Sequence, residues 1–178
     1  MPSLRNELFK NFIEVVDESG RTLEVRPYGE VFEKRLLRKC VQILIQNSEG
    51  ELLLELRKND RHFFPSHWNA CCAGFVAVGE TIWEAARREL KEELGIDAEL
   101  KFEGSYIMDE ANDYSIGYFF TARHEGPFEC NEAESIHFFH PSGIRGMKIT
   151  PHLREQIKLL EAKGCFGREI AAIAEIAQ

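Results

Sequence analysis

The segment from Thr81 to Gly95, TIWEAARRELKEELG, constrains this chain more than any other. Thr81-Ile82-Trp83-Glu84 fits the capping box, in which a threonine and a glutamate three residues later satisfy each other's backbone N–H groups. Gly95 stands where a helix end favours glycine. Both ends of a helix are therefore written in the residues. On a wheel of about 100° per residue with Glu89 at zero, Ile82 falls at ~20°, Glu93 at ~40°, Ala86 at ~60°, Leu90 at ~100°, Leu94 at ~140° and Glu92 at ~300°. Two carboxylates thus lie inside the apolar arc, while Glu84, Arg87 and Lys91 take the solvent side.

Glutamate is ordinary on a solvated helix face, but a carboxylate turned toward a core is costly unless it is paired. A stable fold must hold such groups at a cleft beside cations. Spacings of three and four residues bring Glu89, Glu92 and Glu93 onto one face, where they repel one another unless a divalent ion intervenes. An oxygen-only cluster suits a hard cation, magnesium first and manganese second, and such an ion points to phosphate chemistry.

The charge balance agrees. With 30 Asp and Glu against 22 Lys and Arg, the net charge of −8 argues against an electrostatic grip on nucleic acid or an anionic membrane, so something other than bulk charge must attract an anionic ligand, and a metal ion is the obvious candidate. At 178 residues the chain reads as one domain, 1–178. The opening MPSLRNELFKNFIEVV lacks a signal-peptide core, and no window approaches the roughly 18 apolar residues of a spanning helix, so the expectation is a soluble, cytoplasmic protein. Cys40, Cys71, Cys72, Cys130 and Cys165 show no paired spacing and read as free thiols; the adjacent Cys71-Cys72 is no zinc motif.

Phe12 to Val16 and Thr22 to Val25 flank a glycine turn and predict an amino-terminal hairpin over about 12–26. Cys40 to Ile45 and Glu51 to Leu56 predict a second hairpin, and Tyr114 to Ala122 and Ile136 to Phe139 predict further strands. Leu153, Ile157 and Leu160 form one stripe of a helix from Pro151 to Lys163, followed by a short helix from Gly167 to Ala177. The expected class is α/β, with helices covering a mixed or mostly antiparallel sheet.

The stretch from Gly74 to Ile96, GFVAVGETIWEAARRELKEELGI, resembles the Nudix box. Gly74, Glu80, Arg88, Glu89, Leu90, Glu92, Glu93, Gly95 and Ile96 each match a defined position. The resemblance implies an α/β/α sandwich with a mixed sheet and hydrolysis of the pyrophosphate bond of a nucleoside diphosphate linked to another moiety, with magnesium or manganese. It makes Glu89 and Glu93 metal ligands, Glu92 a further ligand and Glu89 the candidate base. Arg88 becomes the residue that holds Glu80, and the Ala73 carbonyl a further ligand. Divalent ions in such sites neutralise phosphate oxygens and acidify an attacking water.

Over roughly residues 12 to 145 the chain is also similar to the Nudix proteins related to isopentenyl diphosphate isomerase, through CVQILI, ELLLELRKNDRHFFPSHWN and Asn69-Ala70-Cys71-Cys72, the last resembling the segment of the isomerase's catalytic cysteine. It departs where Ala73 follows Cys72 in place of a metal-binding histidine, and where Ser115 stands in place of an acid. The alternative readings are accordingly an isomerase and a non-catalytic binding protein of the same fold.

Lesser candidates complete the set. Glu132, with Glu134 near it, is a candidate further acid at the metal site, set against a solvated loop pair. Arg57, Lys58 and Arg61 are candidate contacts to substrate phosphate, set against a coated loop. His62, His67, His137 and His140 read as surface histidines, and Trp68 and Tyr118-Phe119-Phe120 as core. Cys71 and Cys72 read as buried small hydrophobes, and the amino-terminal segment is a candidate homodimer contact.

Overall fold

The computed structural model describes residues 11–61, 64–110, 113–129 and 133–164. The amino-terminal hairpin forms as expected from β1 (Phe12–Val16) and β2 (Thr22–Pro27), paired from Phe12 with Pro27 to Val16 with Thr22. Asp17 fastens its turn by accepting hydrogen bonds from the Ser19 and Arg21 backbone N–H groups. A short helix that the sequence reading omitted, α1 (Tyr28–Glu33), follows Pro27. Six residues are too few to display a helical period, and α1 is held by burial of Val31 among Ile13, Val15 and Phe75.

β3 (Arg38–Gln46) is the centre of the sheet. It pairs antiparallel with β1, β4 (Leu52–Leu56) and β6 (Cys72–Phe75), and parallel with β8 (Asp113–Arg123) along its whole length. Both faces of β3 are buried, which accounts for its apolar residues Cys40, Val41, Ile43, Leu44 and Ile45 on either side of Gln42. The second hairpin is shorter than expected: β4 touches β3 only through Ile45 with Leu53 and Gln46 with Leu52. It then runs between β5 (Trp68–Ala70) and β9 (Ser135–Phe139). β7 (Leu100–Glu110) pairs with β8.

A helix covers each face of this mixed sheet. α2 (Ile82–Leu94) sets Ala85, Ala86, Leu90 and Leu94 against Val41, Ile43, Ile45, Cys72 and Phe120. α3 (Pro151–Ala162) sets Leu153, Ile157 and Leu160 against Leu44, Leu52, Leu54 and Phe119 on the other face. Both capping-box hydrogen bonds of α2 are made, and Gly95 closes the helix in the left-handed conformation at φ 67°. No helix among the described residues is long and apolar enough to cross a membrane. The helix expected from Gly167 to Ala177, and Cys130, Cys165 and His62, lie outside the described residues.

Candidate active site

The acidic face of α2 rests on the backbone of β6. Glu89 is buried, and its carboxylate fills the space beside Gly74, where a Cβ would fall 1.8 Å from Oε1 and 2.6 Å from Oε2. One turn on, Glu93 Oε2 accepts a hydrogen bond of 3.1 Å from the Ala73 N–H. Two successive residues of β6 thus seat two acids of α2. Glu92 stays exposed, with Oε2 3.2 Å from Arg88 Nη1.

Arg88 organises the surrounding loop. Its Nε and Nη2 donate to Glu80 Oε1 and Oε2 at 2.9 and 3.0 Å, a bidentate pair, while Nη2 also reaches the Phe75 carbonyl at 2.9 Å and Nη1 reaches Glu89 Oε1 at 2.6 Å. Glu80 in turn accepts from the Ala77 N–H at 2.9 Å. The Glu80 hydrogen bond, with the Glu89 charge, raises the Arg88 pKa, so this cation is permanent. Burial raises the Glu89 carboxyl above its ordinary value; the Arg88 charge opposes that shift, and Glu92 and Glu80 add to it.

Among the described residues no three His, Cys, Asp or Glu side chains are grouped so as to hold a metal ion. Glu89 and Glu92 turn to Arg88, and Glu93 to the Ala73 N–H, so the counter-cation beside the first two is a guanidinium. The donor set nonetheless fits a hard divalent ion, because it offers only oxygens, within about one helical turn, over a glycine that leaves them room. Ala73 meets Glu93 through its N–H rather than its carbonyl. Glu132 lies outside the described residues, and Glu134 is exposed.

Across β6 from α2, a cavity of about 160 Å³ opens on the α3 face of the sheet, and Ala73 and Gly74 belong to its wall. Of the three cations expected near phosphate, Arg57 lines this cavity while Lys58 and Arg61 do not. Its floor holds a network that sequence reasoning missed. Arg38 Nη2 donates to Asp113 Oδ1 at 2.8 Å, His152 Nε2 lies 2.6 Å from Asp113 Oδ2, and the Tyr106 hydroxyl lies 2.9 Å from His152 Nδ1. Burial acts to raise the Asp113 carboxyl, but the His152 hydrogen bond and the charges of His152 and Arg38 outweigh it and hold the group below its usual value. A larger cavity of about 870 Å³, beside Phe102 and Glu103 on β7, touches none of Glu89, Glu92 and Glu93.

Cys72 is fully buried under α2, and burial, with the nearby Glu93 and Glu89 charges, pushes its thiol well above the ordinary value. It behaves as a small hydrophobe. Ser115 is buried on the other face, and the acid of that strand is Asp113, two residues earlier and already bonded to Arg38 and His152.

Comparison with known proteins identifies the family. The NUDIX domain profile matches residues 36–161, and the chain belongs to the Nudix family. An uncharacterised Nudix hydrolase of Pseudomonas aeruginosa is 34% identical over 149 residues, 82% of this chain and 88% of its own length. An isopentenyl-diphosphate Delta-isomerase of Nocardia farcinica is 27% identical over 168 residues, 84% of this chain and 94% of its own. Among solved structures, a Deinococcus radiodurans protein matches with a TM-score of 0.70 at 20% identity, covering 83% of this chain and 97% of its own. A MutT protein of Methanosarcina mazei matches with a TM-score of 0.65 at 21% identity, covering 72% and 95%. The mixed sheet between two helical layers is the Nudix fold.

Proposed function

We propose that this chain, acting as one domain over 1–178 in the cytoplasm, hydrolyses the pyrophosphate bond of a small-molecule nucleoside diphosphate linked to another moiety. The observation that carries the reading is the convergence of Glu89 and Glu93 on the Gly74 and Ala73 backbone beside the Arg88–Glu80 clamp. Glu89, Glu92 and Glu93, with Ala73 and Glu132 as further candidates, hold magnesium or manganese, which when bound neutralises phosphate oxygens and acidifies water. Arg88 fixes the loop from Ala77 to Glu80 against α2 and so sets where the acids stand. Glu89 accepts the proton of the attacking water at its carboxylate. Arg57 meets substrate phosphate, with Lys58 and Arg61 more distant candidates. The outer edge of β2, where Leu23 and Val25 are exposed, is the candidate homodimer contact.

The isomerase reading has one feature in its favour, the likeness to the Nocardia farcinica enzyme. Moving a proton on and off carbon needs an acid and a base that both face the substrate. Cys72 lies in the α2 core and Asp113 lies across the sheet, bound to Arg38 and His152, which speaks for hydrolysis. The test is a panel of nucleotide sugars, dinucleotides, nucleoside diphosphates and triphosphates, and isopentenyl diphosphate with magnesium. Cleavage to monophosphate products and isomerisation are scored separately. Cleavage of at least one nucleotide at its pyrophosphate bond supports the proposal, and isomerisation alone refutes it.

A further inference from the structure

The amino-terminal hairpin lies outside the stretch that the family profile matches, which starts at residue 36, yet it carries a buried acid that the site described above does not use. Glu14, in the middle of β1, is 9% exposed. Its neighbours Ile13 and Val15 pack with Val31 and Phe75 on one face of the strand, and the alternation of strand side chains sends Glu14 to the other. A carboxylate buried without partners is costly, so the groups around Glu14 decide what it is there for.

Those groups lie in the hairpin, in β3 and in the loop between β6 and α2. Oε2 accepts from Thr22 Oγ1 and from Lys39 Nζ, both at 2.8 Å, and so ties the hairpin to the sheet beside the Val15–Arg38 ladder pair. Oε1 accepts from the Gly79 N–H at 2.9 Å, and so ties the hairpin to the loop. Burial acts to raise the Glu14 carboxyl, but the hydrogen bonds from Lys39, Gly79 and Thr22, with the Lys39 charge, outweigh it and hold the group below its ordinary value. Glu14 is therefore a permanent anion.

The loop it holds is the one that Arg88 clamps. Gly79 makes the turn at φ 75°, and the next residue, Glu80, is the acid paired with Arg88. At the other end of the loop, Phe75 gives its carbonyl to Arg88 Nη2, while its ring meets Phe32 of α1 edge-on at 5.6 Å and Tyr28 at 5.8 Å. The Val76 N–H then donates to the Lys39 carbonyl at 3.2 Å. The loop is thus held from both sides, by α2 through Arg88 and by the amino-terminal hairpin and α1 through Gly79 and Phe75. Because Arg88 Nη1 also bonds Glu89 Oε1, a shift of this loop is passed on to a carboxylate of the acidic face.

We propose that Glu14 is a positioning residue of the active site: its hydrogen bond to Gly79 fixes the loop that carries Glu80, and through the Arg88 clamp it sets where Glu89 stands to meet a metal ion. The inference rests on the metal-site reading of the α2 acids. Groups that orient the ligands of a metal change its affinity or the activity by roughly 10–100-fold when removed. Glu14 acts through Arg88, so the low end of that range, about tenfold, is expected.

Glu14→Ala in the full chain tests it, with Thr22→Val as the control. Thr22→Val removes a donor to Oε2 and loosens the hairpin while leaving the Gly79 bond in place. Urea melts, hydrogen exchange of the 77–80 loop by mass spectrometry, isothermal titration with manganese, and steady-state kinetics on the best diphosphate of the panel compare each variant with wild type. Glu14→Ala is expected to speed exchange in the loop, to weaken manganese binding about tenfold and to lower kcat about tenfold, with KM changed by at most about threefold. Thr22→Val, at an exposed residue, is expected to stay within about threefold of wild type throughout. Should Glu14→Ala not fold, Glu14→Gln replaces it: its single oxygen, drawn to Lys39, turns an amide N–H toward the Gly79 N–H. Wild-type manganese affinity in the folded Glu14 variant overturns the inference. An equal loss in Thr22→Val also overturns it, since the hairpin would then only stabilise the fold. The two readings fail separately. A wild-type chain that binds manganese but cleaves no diphosphate refutes the hydrolase and leaves exchange and titration to decide on Glu14, whereas turnover that Glu14→Ala retains in full refutes the role of Glu14 alone.

Discussion

The Glu89 carboxylate occupies the space that a side chain at Gly74 would fill, with a Cβ there only 1.8 Å from Oε1. The glycine is required by a close approach, since Gly74 is not among the residues at positive φ. Gly74→Ala is therefore expected to fold but to drive Glu89 away from β6. A displacement of about 1 Å in a positioned group costs on the order of a hundredfold in rate. Steady-state kinetics on the best diphosphate of the panel checks this, and a variant within threefold or so of wild type contradicts the seating described.

Glu93→Gln keeps an oxygen that can accept from the Ala73 N–H while removing the negative charge. Turnover is expected to fall by orders of magnitude with the melting temperature nearly unchanged. Thermal melts and magnesium titrations of activity measure the two effects independently. Full activity at low magnesium would assign the metal to other groups.

Cys72→Ala and Cys71→Ala are expected to keep hydrolysis within a few-fold, because both thiols are buried beneath α2 and neither lines the cavity. A stability loss of about 1 kcal/mol is the ordinary cost of such a change. Incubation of wild type with isopentenyl diphosphate in deuterated water gives the complementary reading. Deuterium in an isomerised product that disappears in the Cys72 variant would make the chain an isomerase.

Asp113 links acidity to stability. Its folded pKa lies below the unfolded value near 3.8, so its ionised pairing with Arg38 and His152 stabilises the fold above that value. This contribution is lost as pH falls through the folded pKa. Asp113→Asn is expected to cost about 3 kcal/mol at neutral pH, the scale of removing one partner from a buried ion pair. The difference from wild type should shrink below pH ~3.8 in urea melts. A difference independent of pH would mean that packing, not charge, is what Asp113 supplies.

The residues made α2 legible at both ends because its capping box, its glycine stop and its apolar arc are all local signals, and the same wheel located Glu89 and Glu93. β7 was not legible. Its Glu103 and Asp109 are polar and most of its residues are exposed, so no alternation marks it. β6 is four residues long and its central Ala73-Gly74 carries no β propensity; its pairing with β3 makes it a strand. The Arg38, Asp113 and His152 network escaped for a different reason. Its partners come from β3, β8 and α3, separated by 75 and 39 residues, and no spacing rule spans a parallel pairing of β3 with β8. Arg57 and Lys58 are neighbours in sequence, yet only Arg57 lines the cavity, because the register of β4 and the loop after it decides which one does.

On the proposed reading, the acidic face of α2 holds a divalent ion over the Ala73 and Gly74 backbone. Anomalous diffraction at the manganese edge, from crystals soaked in manganese, locates such an ion. A peak bounded by the Glu89, Glu92 and Glu93 carboxylates is expected, absent from crystals of the Glu93→Gln variant. No peak there at saturating manganese, with the three carboxylates facing solvent, would remove the metal from this helix.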